Sequence, residues 1–472
     1  MIRSGNTSLR ALGACLLFAA AGCAVGPDYK RPEVPTPATY SEDGPWKVAV
    51  PRDALPKEAW WKAFGDPALD ALEAHAVEAS PNLRAARARF DEALAAARVS
   101  EAALYPSLAV NAGASRERFS SNRQSEFPST RFAYTTNSFD LPLDLAYEVD
   151  LFGGMRRAAE SAADLAEAQG ATYQNVLLFL EAAVAQNYYV LRSLATQHEL
   201  LAQDLDLLRQ ALKLVQTLRK GGANSDLDVY QAQTELATVE SSAVANDRAI
   251  AEQRHALAVL VGENPEGFTV QADPLGTDAP PIPAGLPSEL LERRPDVAAA
   301  ERTLAAANAR IGVAKAAFFP SITLTAFAGA NSNDLGNLLT WSSREWAAGP
   351  LVSLPVFNGG ANLANLRGAR AAYDEAVANY RQQVLVSFQE VEDGLSDLRL
   401  LARQTEILAG ASSTAGSAAK LSLVRYKAGL VSYIEVIDSQ RTLLDSELAL
   451  AQARADRLAA TVLLVRALGG GW

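Results

Sequence analysis

The residues that could do chemistry are few and far apart. The chain has 472 residues, with three histidines, His75, His198 and His255, and two cysteines, Cys15 and Cys23. This scatter matches no metal-ligand spacing, because imidazole and thiolate ligands come in short-range sets. No nucleophile stands beside a base, no phosphate loop is present, and no carboxylate pair marks a pocket. An enzyme is therefore not expected, and neither is a metal. The net charge is −11, and phosphate binding needs a basic face, so nucleic acid is excluded as a partner. There remain one thiol near the start and a few acids beside glycine turns. Asp228 follows Ser225 by three residues and Glu435 follows Ser432 by three, the serine-to-acid spacing of a helix capping box. That leaves Glu435 two readings, a cap or a group facing a passage. Asp438 lies one turn further in and caps nothing, and its counterpart in the first half is the neutral Gln231.

The thiol has a context of its own. Arg3 and Arg10 give a basic start, Ala11 to Ala21 is a short apolar stretch, and Ala20-Ala21-Gly22 precede Cys23. This is a processing segment, and it resembles a bacterial lipoprotein signal, with Cys23 becoming the acylated first residue. Ala24 after it, instead of aspartate, is by the same resemblance the sorting signal for the outer membrane of a Gram-negative bacterium. Cys15 leaves with the signal, so no disulfide is expected and no cofactor beyond covalent lipid. Loss of Arg3 and Arg10 leaves 41 basic against 54 acidic residues, a net −13. After the first 25 positions no run of 18 uncharged apolar residues exists, so a spanning helix is not expected in the mature chain.

The elements that must carry these residues come twice. Pro81 to Pro106 encloses an alanine-rich helical stretch ending in Tyr105-Pro106-Ser107, and Pro295 to Pro320 encloses another ending in Phe319-Pro320-Ser321, an offset of 214 for both prolines. Phe152-Gly153-Gly154 is answered near Phe357-Asn358-Gly359-Gly360, and Lys220-Gly221-Gly222 with Ser225 is answered by Lys427-Ala428-Gly429 with Ser432 at an offset of 207. A period near 200 residues means a duplicated half of one structure, because solenoid repeats are far shorter.

Within each half the hydrophobic period changes. Leu141 to Val149 alternates like a half-buried strand, with Asp144 and Glu148 on the other face. Weaker strand candidates of about nine residues, the length of a tilted membrane strand, lie near 107–115, 321–329 and 347–355. Pro350 counts against the bounds of the last. The polar stretches Arg116 to Asp140 and Ala330 to Trp346 read as exposed loops with Phe119, Phe127, Phe132, Tyr134, Phe139, Trp341 and Trp346 as an aromatic girdle. From Tyr173 to Val215 apolar residues recur at steps of four and three, a coiled-coil seam of six heptads, on a helix from Gly154 to Arg219 that is about 100 Å long at 1.5 Å per residue. Asn187 and His198 interrupt it, and polar seam residues fix register. The equivalent helix of the second half is seamed by small residues, Ala409-Gly410-Ala411-Ser412 onward. Smaller seams bury less apolar surface, so the second hairpin is expected to be the one that moves. The chain divides into a signal peptide at 1–22, a lipid-anchored tether at 23–59, a first repeat at 60–261, a proline-rich linker at 262–294 and a second repeat at 295–472.

Two strands per half give four, which cannot close a barrel, and an open sheet edge in lipid leaves backbone groups unsatisfied. Copies must combine. Eight strands enclose only side chains, whereas twelve leave a passage, with the long helices continuing the tube.

Four separated motifs then resemble a known family: Cys23-Ala24-Val25-Gly26-Pro27-Asp28-Tyr29, Trp60-Trp61 with Phe64 and Asp66-Pro67, Arg425 to Ser432, and Ala467-Leu468-Gly469-Gly470-Gly471-Trp472. They are similar to the outer-membrane factors of tripartite efflux systems, in the lipoprotein branch typified by NodT and OprM. The resemblance implies an α+β membrane protein, a homotrimer whose twelve-stranded outer-membrane β-barrel continues into a periplasmic α-helical barrel. It also implies a periplasmic adaptor (membrane fusion protein) and an inner-membrane pump of the RND type as partners, and export of small molecules such as drugs. By the same resemblance Lys220-Gly221-Gly222-Ala223 and Lys427-Ala428-Gly429-Leu430-Val431-Ser432 are adaptor-contacting tips. Asp438 is the first gate candidate, as a ring of three acids, with Ile434 as an apolar constriction and Glu435 and Tyr426 as neighbours. Two other readings stay open: a duct for protein secretion, and a lipid-anchored periplasmic coiled-coil scaffold.

Overall fold

A computed structural model describes residues 24–34, 59–122, 132–276, 279–280 and 293–470. Cys23 and Phe127 fall outside the described residues. After a short 3-10 turn at Trp60–Phe64, the order is α1 (Pro67–Ala79), α2 (Pro81–Ala102), β1 (Ser107–Val110), β2 (Gly113–Phe119), β3 (Tyr134–Glu148), α3 (Gly154–Lys220) and α4 (Asp226–Leu260). The second half supplies α5 (Pro295–Ala316), β4 (Ser321–Ser332), β5 (Arg344–Ser353), α6 (Ala361–Lys427) and α7 (Tyr433–Ala467). The duplication is metrically close: α2 and α5 each have 22 residues, α3 and α6 each 67, α4 and α7 each 35.

The strands form one antiparallel sheet in the order β1-β3-β4-β5, with β2 also paired to β3. β1 and β2 are one strand interrupted: Val110 faces Leu143, Gly113 faces Asp140, and the register does not shift between them. The interruption lies opposite Pro142, which has no N–H to give to the ladder. On its other side Pro142 faces Gly329, where a Cβ would stand 2.6 Å from the Pro142 Cα. The expected pair per half is therefore present, with corrected bounds. β3 starts at Tyr134 and not Leu141, and β5 runs 344–353 and not 347–355. Residues 116–119 and 134–140, expected in a loop, are strand, because Arg116 to Phe119 pair with Tyr134 to Asn137. Every residue of β5 is exposed on both faces.

The chain forms two compact units that cut across the repeats: Met1–Pro32 with Asp91–Gln169 and Ala300–Asn379, and Glu33–Phe90 with Gly170–Ala299 and Tyr380–Trp472. The first holds the sheet. The second holds a core of Trp60, Phe64, Tyr188, Tyr189, Leu257, Leu395, Leu458 and Leu464. Asp66 organises its edge. Its carboxylate accepts from the Ala68 and Leu69 amides, capping α1 ahead of Pro67, and also from the Tyr188 hydroxyl and from Arg192 Nη1 at 2.5 Å. Ser80 accepts likewise from the Leu83 amide ahead of Pro81. Asn187 and His198 do link α3 to its hairpin partner: Gln253 Nε2 donates to Asn187 Oδ1 at 2.6 Å, and His198 Nδ1 lies 2.9 Å from Asp247 Oδ1.

Candidate functional site

Each long helix ends at a glycine for the same backbone reason. Gly222 (φ 78°) and Gly429 (φ 74°) take the left-handed conformation that a side chain disfavours. At the first turn the Gly222 amide donates to Arg219 O and the Ala223 amide to Leu218 O, and at the second Gly429 donates to Tyr426 O and Leu430 to Arg425 O. Both are complete Schellman closures. Lys220, Gly221, Gly222, Ala223, Lys427, Ala428, Gly429, Leu430 and Ser432 are exposed, with Val431 half-buried, so the predicted tips are surfaces.

The caps beyond the turns differ. Ser225 forms a full capping box: its hydroxyl accepts from the Asp228 amide and the Asp228 carboxylate accepts from the Ser225 amide. Ser432 makes no side-chain cap bond. The capping-box reading of Glu435 is thereby corrected: only its backbone amide turns back, to Ser432 O. Glu435 instead lines a groove between α6 and α7 with Asp438, Arg425, Leu421 and Val431. Ile434 is 41% exposed, and the apolar seam of α7 is entered by Tyr433, Val436 and Ile437 instead. Its side chain is thus outside the core. Arg441 is also outside it, with 53% of its side chain exposed.

Tyr426 ties the two tips together. Its hydroxyl accepts from Asn224 Nδ2 at 2.7 Å, and its ring sits 5.4 Å from that of Tyr433. Burial pushes the Tyr426 phenol up, and pushes that of Tyr433 up to about 12. Two turns further along, a cluster appears that pattern reading did not find. Arg441 on α7 forms a two-pronged ion pair with the buried Glu235 on α4. Asp204 on α3, itself buried, is pushed up to about 6, first by burial and then by the charges of Glu235 and Glu447. Arg441 and Glu235 lie 206 positions apart, so no local pattern signals the pair. Ser422 and Ser439 close the second hairpin on itself, hydroxyl to hydroxyl at 2.5 Å.

Among the described residues no group of three or more His, Cys, Asp or Glu could hold a metal, and no helix is long and apolar enough to cross a membrane.

Similarity to known proteins points the same way. The family model described as outer membrane efflux protein matches residues 74–263 and 286–470, one segment for each repeat. The probable efflux pump outer membrane protein TtgC of Pseudomonas putida is 33% identical over 461 residues, covering 96% of this chain and 94% of the relative. The cation efflux system protein CusC of Escherichia coli is 32% identical over 467 residues, 97% and 98% of the two. Among solved structures, the outer-membrane channel OprN superposes with TM-score 0.88 at 33% identity, covering 95% of this chain and all of that one. The open state of the MtrE outer membrane channel of Neisseria gonorrhoeae gives 0.83 at 30% identity, with coverages of 95% and 98%.

Proposed function

The chain belongs to the outer membrane efflux protein family, and from that membership we propose that it is the outer-membrane exit duct of a tripartite efflux system that exports small toxic molecules. The observation that carries this reading is the sheet. Its order runs from β1 to β5 without closing, β5 has no second strand partner among the described residues, and Leu108, Val110, Trp346 and Val352, which the register puts on one face, are more than 60% exposed. A row of unpaired amides and an apolar outer surface are intolerable in water and in lipid alike unless further copies complete a barrel. Three copies give twelve strands and a passage. The duct is passive, and energy comes from an inner-membrane pump of the RND type through a periplasmic adaptor that grips the two glycine tips. Cys23 carries the lipid that holds each copy to the membrane.

Asp438 is the gate acid in this reading. With Glu435 free of a cap, each copy presents two acids and Ile434 on one exposed face of α7, so three copies ring an aperture with negative charge. The exported molecules follow the relatives' names, toluene and antibiotics foremost. Those names favour efflux over protein secretion, and the sheet disfavours a scaffold. In a strain deleted for this gene, the wild-type gene should restore a heat-sensitive oligomer in the outer-membrane fraction and lower ethidium accumulation. Asp438→Ala with Ile434→Ala should raise single-channel conductance of the closed duct, and unchanged conductance would reject the gate. Crosslinking from cysteines at Ala223 and Leu430 should capture the adaptor.

A further inference from the structure

The motif Cys23 to Tyr29 has no role in a duct beyond the thiol itself, yet residues 24–31 are bound to the body at almost every position. The Val25 amide donates to Phe152 O at 2.9 Å, and Asn308 Nδ2 donates to Pro27 O at 3.0 Å. Arg157, only 7% exposed, reaches out to Asp28 at 2.7 Å while holding Glu160 with its other amino group. Tyr29 and Arg31 both bond Glu301, Arg31 with two nitrogens. Backbones touch as well. A Cβ on Gly26, whose φ is 128°, would stand 2.6 Å from the Gly312 Cα, and a Cβ on Gly312 would stand 3.0 Å from Val25 O. A Cβ on Gly153 would stand 2.6 Å from that of Ala24. The slot is built by both repeats, with Phe152, Gly153 and Arg157 from the first and Glu301, Asn308 and Gly312 from the second. Its Gly153 end lies five residues past the end of β3.

We propose that residues 24–31 are a strap that fixes the height of the lipid anchor against the barrel. The strap delivers the N-terminus to Gly153, at the foot of the strand that leads into α3. Acyl chains carried by the chain ahead of Ala24 would in that case enter the periplasmic leaflet at the rim of the same barrel. A freely tethered lipid would only hold the chain near the membrane. A strapped one registers the sheet with the bilayer while copies assemble, and only a chain with both halves folded offers the slot. Arg157 is the positioning residue, because its burial makes Asp28 its outward partner.

The inference rests on the acylation of Cys23 proposed above, and its test separates the two. Gly26→Leu and Asp28→Ala alter only the strap and leave the folded body untouched. Outer membranes from cells fed labelled palmitate are opened with a mild detergent and treated with trypsin, which cuts after the exposed Lys30 once the strap is free, since Arg31 is shielded by Pro32. Both variants should carry palmitate as the wild type does, release the labelled fragment about tenfold faster, as loss of one or two charge-assisted contacts implies, and lose most of the heat-sensitive oligomer seen on an unheated gel. Wild-type cleavage rates, or faster cleavage with undiminished oligomer, overturn the strap. Wild-type protein without palmitate overturns the acylation, while the cleavage rates still report whether the strap is docked.

Discussion

The two helical hairpins have the same lengths and the same glycine closures, yet they are held in different ways. The first is sealed along its length by Leu201, Leu205, Leu208 and Val215, finished by a complete capping box, and braced by Arg219 paired with Asp226 at 2.7 Å. The second has Ala415 and Ala419 at the corresponding level of α6, no side-chain cap at Ser432, and a groove beneath Glu435 and Asp438. Beside its own Ser422–Ser439 and Tyr426–Tyr433 contacts, two of its ties are borrowed: Arg441 to Glu235 and Tyr426 to Asn224 both reach the first hairpin. Duplication supplied two equal rods, and divergence made one a post and the other a leaf hung on it. The weaker apolar seal of the second hairpin follows from its small seam, since each leucine replaced by alanine forgoes about 2 kcal/mol or more of burial.

The largest effect should come from attacking the post. Leu208→Ala removes a buried side chain, 4% exposed, from the seam between hairpins, and should cost about 3 kcal/mol, read as a fall in the melting temperature of the purified oligomer. Ala419→Gly at a buried site of the second seam should cost only about 1 kcal/mol. Equal losses would mean that the two hairpins carry equal loads. Next comes the hinge between them. Arg441→Ala leaves Glu235, 6% exposed, without its cation. Because Arg441 is itself half in solvent, the cost is set at about 2 kcal/mol, and closed-state conductance should rise together with the loss of stability. A loss of stability with no change in conductance would make the pair structural only.

Much of this difference was legible in the residues, and the illegible part has a common cause. Prolines at 81 and 295, glycines at 222 and 429, and the step of four and three fixed where helices begin, end and face, because those signals act within a turn or two of the chain. The sheet was read short at Tyr134 to Asp140, where Thr135, Thr136, Asn137 and Ser138 carry no apolar alternation; pairing to Gly113 through Phe119 made the strand, and pairing is not local. Ser432 shows the reverse failure, a correct spacing whose hydroxyl is not used. Glu235 with Arg441, and Arg157 with Asp28, join residues more than 100 positions apart, and no period connects them.

Acidity offers a finer probe of the hinge. Asp204 stands beside Glu235 and Glu447 and is pushed up to about 6 mainly by burial. A carboxyl raised in the folded state favours folding fully only below its unfolded value of about 4, and that advantage is lost as pH climbs through 6. Asp204→Asn should therefore raise the melting temperature at pH 8, by an amount equivalent to about 1 kcal/mol after allowance for its partial exposure, and leave it unchanged at pH 4. Glu447, also raised by burial, should keep a weaker dependence of the same sign. A gain of the same size at both pH values would show that packing, not charge, governs the site.

The smallest effect is the most direct test of post against leaf, because it compares one residue type at one position of the repeat. Ser225→Ala removes a hydroxyl that accepts from the Asp228 amide and donates to the Asp228 carboxylate at 2.8 Å. The box loses one of its two reciprocal bonds, and an N-cap truncation of this kind costs about 1 kcal/mol. Ser432→Ala removes a hydroxyl with no capping bond, so its effect on stability should stay within about 0.5 kcal/mol, the range of an ordinary surface change. Hydrogen exchange places the loss: Ser225→Ala should speed exchange at the first turn of α4 alone, whereas the first turn of α7 should already exchange faster in the wild type and change little in Ser432→Ala. If both substitutions cost the same and both turns exchange alike, the second tip is capped in the working assembly, and the asymmetry between the hairpins must lie in their seams and not at their ends.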